Sequence, residues 1–158
     1  MDSARAWGGL LTVLCGLSAC GADSDSDRDR DRARTDQAAV KKVLDAARDA
    51  LYAGDGARAC RLYTSSYRRE FVKKNQEDES RGASGSTCEE QVANFAPVLK
   101  RTVHDLRVIR ITVSGDTATA VSEFNTTSGK AQVTEFLVRQ GGQWKINGSQ
   151  EPVKAAPG

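Results

Sequence analysis

The stretch Leu106-Arg107-Val108-Ile109-Arg110-Ile111-Thr112-Val113-Ser114-Gly115-Asp116-Thr117-Ala118-Thr119-Ala120 decides the fold class. Branched residues crowd its first half, Gly115-Asp116 supplies a turn, and residues 117–124 alternate small and β-branched side chains with a period of two, the pattern of paired strands. Downstream, residues 125–130 read as a second turn and 131–139 as a third strand. Gly141-Gly142 reads as a tight hairpin, and 143–147 as a fourth strand carrying Trp144 and Ile146.

Upstream of Leu106 the period is that of a helix. Thr35 or Asp36 can cap a helix declared by Val40, Val43, Leu44, Ala47 and Leu51 and ended by Gly54. Asp55 can cap a second helix through Ala57, Cys60, Leu62 and Tyr63. Thr64-Ser65-Ser66 restarts a short third one bearing Tyr67, Phe71 and Val72. Residues 75–85 are polar and loop-like. Thr87-Cys88-Glu89-Glu90 has the form of a capping box, opening a helix marked by Val92, Phe95, Ala96 and Leu99, in which Pro97 predicts a kink or an early end. Helices followed by an antiparallel meander make an α+β domain, its N-terminal helices packed on one face of a curved four-stranded antiparallel sheet.

The 158 residues suffice for one domain, with 23 Lys and Arg against 21 Asp and Glu. That near balance excludes nucleic acid as the main partner. One His and four Cys exclude a multi-histidine metal site, a four-cysteine site survives only if no cysteine is committed elsewhere, and no metal or cofactor is expected.

The first twenty residues stand apart. From Ala6 to Ala19 the chain is uncharged and carries Trp7, Leu10, Leu11, Val13, Leu14 and Leu17, too short a run to cross hydrocarbon and about the length of a secretory signal's apolar region. Leu17-Ser18-Ala19-Cys20-Gly21 resembles a bacterial lipobox. The resemblance implies a signal peptide over 1–19, cut before Cys20, whose thiol receives diacylglycerol. An ordinary cleaved signal, cut after Ala22, is the alternative, and a retained signal-anchor a third. Residues 20–34, with five Asp and four Arg and no large apolar side chain, then read as a disordered charged tether, 35–150 as the folded domain and 151–158 as a disordered tail.

The domain resembles the nuclear transport factor 2-like superfamily, which includes ketosteroid isomerase and polyketide cyclases. The carriers are the 40–54 helix followed at once by Asp55-Gly56-Ala57-Arg58-Ala59-Cys60, then Gly115-Asp116-Thr117-Ala118-Thr119-Ala120, then Glu135-Phe136-Leu137-Val138-Arg139 with Gly141-Gly142-Gln143-Trp144-Lys145-Ile146. With the lipobox, the whole is similar to small bacterial lipoproteins bearing such a domain. The resemblance implies a cone-shaped fold with a pocket between helices and sheet, and it implies no reaction.

With Cys15 in the signal and Cys20 claimed by lipid, Cys60 and Cys88 remain and can form one structural disulfide in an oxidising compartment; a redox pair is the alternative reading. Catalytic motifs are missing: Gly82-Ala83-Ser84-Gly85 is a near miss for a nucleophile elbow, and no catalytic residue is assigned. His104 is the sole imidazole, expected at a helix-to-strand junction beside Asp105. Tyr52, Tyr63, His104 and Trp144 are the candidate pocket residues, with Tyr67 a further aromatic hydroxyl. Arg68, Arg69, Lys73 and Lys74 form a basic group read as a solvated helix face. Leu106 and Val108, if exposed on the sheet's far side, would offer a homodimer or partner surface.

The functional expectation is a lipoprotein held at the outer face of the cell membrane through Cys20, binding a small ligand or a partner protein without catalysis. The alternative is an isomerase-, dehydratase- or cyclase-like enzyme using the same pocket. A buried carboxyl facing Tyr52, Tyr63 or His104 would discriminate between them, because acid–base chemistry needs a proton-transfer group within hydrogen-bond reach.

Overall fold

A computed structural model describes residues 23–77, 83–150 and 153–154. The signal segment 1–19 and Cys20 lie outside them. Helix α1 (Asp23–Ala53) begins well before the expected cap. Thr35 does not cap it; its hydroxyl donates to the Asp31 carbonyl at 2.8 Å, one turn back in a helix already under way. Residues 23–34, expected as a disordered tether, are therefore helical. Alternating Asp and Arg set opposite charges three apart, as in Asp27–Arg30 at 3.7 Å, and such pairs support a helix that is polar all round. From Val40 the apolar stripe takes over, and Val40, Leu44, Ala47 and Ala50 are buried.

Gly54 ends α1 with φ +72°, a left-handed conformation that glycine adopts freely. Asp55 caps α2 (Gly56–Arg61), its carboxylate accepting from the Arg58 amide at 2.9 Å. A Cβ on Gly56 would collide with the Glu89 backbone, so α2 meets α4 (Cys88–Thr102) at backbone distance. Tyr63 then forms a parallel bridge with Ile146, and α3 (Ser65–Glu77) follows, the Tyr67 amide donating to the Thr64 hydroxyl. α3 continues through Asn75, which was expected to start a loop. Asn75 is buried because its amide donates to Gln91 Oε1 at 3.0 Å, while Gln91 donates to the Val72 and Gly85 carbonyls. The capping box at α4 forms as expected. Pro97 does not end the helix; it lies on the exposed side while Val92, Ala96 and Leu99 keep the stripe buried.

Strands β1 (His104–Ser114), β2 (Thr117–Thr126), β3 (Gly129–Gln140) and β4 (Gln143–Ser149) pair antiparallel in that order. The Gly141-Gly142 hairpin has φ +57° and +76°, the mirror-image turn that a right-twisted hairpin favours. The short β5 (Val153–Lys154) pairs with Ala131 and Gln132 of β3, so this part of the expected disordered tail is ordered. The fold is thus α+β, with helices packed on a four-stranded antiparallel sheet. Leu137, Ile146, Ala118 and Ala120 face Val40, Leu44 and Val92 in one core.

β1 departs from simple alternation. Its register slips between Val108 and Arg110, leaving Ile109 unpaired and 42% exposed. The extra residue shifts the phase, so Leu106 and Val108 before it and Ile111 and Val113 after it all turn toward the helices. Leu106 and Val108 are accordingly not on the far side of the sheet, where the sequence placed a partner surface.

Candidate functional site

Between α1, α3 and the inner face of the sheet lies a cavity of about 240 Å3. Leu44, Ala47 and Leu51 from α1, Phe71 from α3, Phe95 from α4 and Val133 from β3 give it apolar walls. Its polar groups are few. Glu135 enters because the two-residue period that turns Val133 and Leu137 inward turns it inward too. Its Oε2 accepts from the Ser122 hydroxyl at 3.1 Å, across the β2–β3 pair. Burial pushes the Glu135 pKa above the ordinary glutamate value, and the Ser122 hydrogen bond opposes that shift without cancelling it. Among the described residues no cation pairs with this carboxyl.

Tyr63 lines the same cavity, 7% exposed, stacked edge-on to Tyr67 with ring centroids 5.1 Å apart. Burial first, then the neighbouring Tyr67 and Glu135, push its hydroxyl far above the usual tyrosine range, so it is held neutral. The Tyr67 and Ser149 hydroxyls share a hydrogen bond at 2.9 Å. Arg48 completes the lining from α1, its charge balanced on its own helix by Asp45 at 3.0 Å and Asp49 at 3.6 Å. Chemically this is an apolar chamber with one carboxyl biased toward its protonated form. Such a carboxyl can accept from Ser122 through one oxygen and donate a hydrogen bond to a ligand through the other.

Of the candidate pocket residues, the structure puts Tyr63 in the cavity and the other three elsewhere. Tyr52 donates to the Val103 carbonyl at 3.0 Å and borders an outer cleft with His104, the exposed first residue of β1. Burial raises the Tyr52 pKa, Arg48 opposes this and Asp105 adds to it. Asp105 sits at φ +54°, its carboxylate accepting from Asn125 Nδ2 at 2.8 Å. Trp144 is buried in the core under the Arg139 guanidinium, which lies 4.5 Å from its ring centroid. Arg139 in turn grips Asp36 of α1 at 2.6 Å.

Cys60 and Cys88 form a disulfide, joining α2 to the first turn of α4. On α3, Lys74 pairs with Glu70 at 2.9 Å, and Arg69 and Lys73 are exposed. Among the described residues no three His, Cys, Asp or Glu side chains converge as a metal site, and no helix is long and apolar enough to cross a membrane.

No family model matches the sequence, and no curated protein matches it. Among the solved structures similar to this chain are nuclear transport factor 2-like proteins. A candidate dehydratase of that family from Streptomyces avermitilis shares 20% identity with a TM-score of 0.44, covering 73% of this chain and 94% of its own. A candidate nuclear transport factor 2-like transpeptidase from Campylobacter jejuni shares 17% with a TM-score of 0.43, over 68% and 93% respectively. A nuclear transport factor 2-like protein of unknown function from Shewanella baltica shares 13% with a TM-score of 0.45, over 85% and 100%.

Proposed function

We propose that this chain is a lipid-anchored extracytoplasmic protein whose domain holds a small, neutral, largely apolar ligand in the cavity beneath α1. The observation that carries the ligand class is Glu135, a carboxyl among apolar walls with no cation paired to it among the described residues, which favours a ligand with a hydrogen-bond acceptor such as a ketone or ester carbonyl. An anionic ligand would meet the carboxyl as a like charge once Glu135 ionises. The anchor rests on Leu17-Ser18-Ala19-Cys20, and metabolic labelling with a palmitate analogue should mark the wild type and not Cys20→Ala.

Binding is testable with prodan, a neutral naphthyl ketone whose emission shifts to the blue in apolar surroundings. The full chain should produce that shift, Val133→Trp should abolish it by filling the cavity, and Glu135→Leu should weaken it about tenfold, the equivalent of one lost hydrogen bond at 1.4 kcal/mol. An equal shift from wild type and Val133→Trp would refute the site.

A second reading rests on the feature that discriminates an enzyme from a binding module, a buried carboxyl sharing the cavity with Tyr63: Glu135 moves a proton and the cavity turns over an enolisable or dehydratable substrate. Turnover lost in Glu135→Gln while prodan binding persists would establish catalysis in place of simple uptake.

A further inference from the structure

The inner cavity and the outer cleft at Tyr52 and His104 have residues in common, Arg48 and Leu106. The cleft holds about 460 Å3 and is open to solvent. Arg48 reaches from α1 to the edge of the sheet, where its Nη1 donates to the Leu106 carbonyl at 3.3 Å. The guanidinium thus bars the wall between an apolar chamber and a polar vestibule.

We infer that Arg48 is the gate of the cavity and that the Tyr52–His104 cleft is the vestibule through which ligands enter. The bar is built to swing. Its bond to Leu106 is long for a hydrogen bond, whereas Asp45 and Asp49 hold the charge from the same helix. Releasing Leu106 therefore leaves Arg48 paired. The frame around the bar is fixed. Tyr52 pins the Val103 carbonyl, and Asn125 pins Asp105, which precedes Leu106 in a left-handed conformation. A mobile side chain across a pinned backbone admits a ligand without opening the sheet. The cavity's role as a ligand site comes from the proposed function, but the access geometry is independent of any ligand, and so is its test.

In the full chain, Val133→Cys places a thiol on the cavity wall. The neutral reagent methyl methanethiosulfonate modifies it by thiolate attack on the reagent's sulfenyl sulfur, giving the methyl disulfide and releasing methanesulfinate. Peptide mass spectrometry reads the rate at position 133. Adding Arg48→Ala should raise that rate at least tenfold. Lys100→Trp, an exposed change on α4 that crowds the vestibule, should lower it several-fold. A control thiol at Thr134→Cys, on the opposite face of β3, should react equally in every background. A rate at 133 indifferent to both Arg48→Ala and Lys100→Trp would overturn the gate. Rates rising together at 133 and 134 would also overturn it, since they would report a loosened sheet. Prodan binding that fails while the 133 rates respond as expected would refute the ligand reading and leave the gate standing.

Discussion

Replacing both Cys60 and Cys88 by alanine removes the covalent tie between α2 and α4 and tests what holds the helical layer together. The bridged residues are 28 apart in sequence. In the chain-entropy description a loop of that size restricts the unfolded chain by about 12 cal/mol/K, or about 3.6 kcal/mol at 25 °C. That is a large share of the roughly 5–15 kcal/mol by which a domain is stable. The tie matters locally because α2, Gly56–Arg61, is too short to persist alone and is seated at backbone distance on Glu89. Urea unfolding of the full chain followed by circular dichroism should show the midpoint falling. The denaturant slope should rise, because an uncrosslinked unfolded chain exposes more surface. Thermal scans should show a drop of roughly 10–20 °C. A stability loss below about 1 kcal/mol with an unchanged slope would refute the view that closing this loop stabilises the fold.

Glu135→Gln should flatten the dependence of stability on pH. The folded pKa is raised above the ordinary 4.5, so the wild type's extra stability is fully present below that value and is lost as pH rises through the folded value. Each unit of elevation is worth about 1.4 kcal/mol, so the variant should overtake the wild type in urea titrations at neutral pH, and parallel curves from pH 4 to 8 would contradict the burial. Gly56→Ala should cost about 1–3 kcal/mol, because its methyl has a rigid carbonyl rather than a flexible side chain to displace; an unchanged melting temperature would show that α2 sits farther from α4.

What the sequence makes legible is what local chemistry dictates. Asp55 and the Thr87–Glu90 box announce helix starts because their side chains satisfy amides that any helix start leaves free, and both do so here. Gly141-Gly142 announces a hairpin because its positive φ values suit glycine. The rest depends on distant partners. Residues 23–34 lack large apolar side chains, which leaves them little to bury but leaves helix and coil equally open. Asn75 looks like a loop residue until Gln91 supplies its partner from another helix. Glu135 is the instructive miss. Phe136 and Leu137 are adjacent and cannot both face the helices; the phase with Phe136 inward turns Glu135 out, the phase with Leu137 inward turns it in, and strand 131–139 read alone leaves both open. The structure makes the second choice, leaving Phe136 37% exposed over Gly148 and Leu137 fully buried. A register slip in β4 opposite these residues belongs to the same choice, and it is invisible in either strand read alone.

The placement of Glu135 works against stability, and that gives it weight as a functional residue. A leucine there would be stabilised by leaving water, whereas a carboxyl with no cation partner among the described residues must either keep its proton or bear the cost of ionising in poor solvent. Ser122 offsets part of this with one hydrogen bond, and the Cys60–Cys88 link contributes several times as much. In its protonated form, which burial favours, this carboxyl is a donor that water does not already saturate, and a donor of that kind discriminates strongly between ligands with and without an acceptor. Selectivity should therefore reside in Glu135 at the inner wall, while the rate of entry is set separately by Arg48 at the outer one. Changing Glu135 should move equilibrium affinity with little effect on access, and changing Arg48 should move access with little effect on which ligand is preferred.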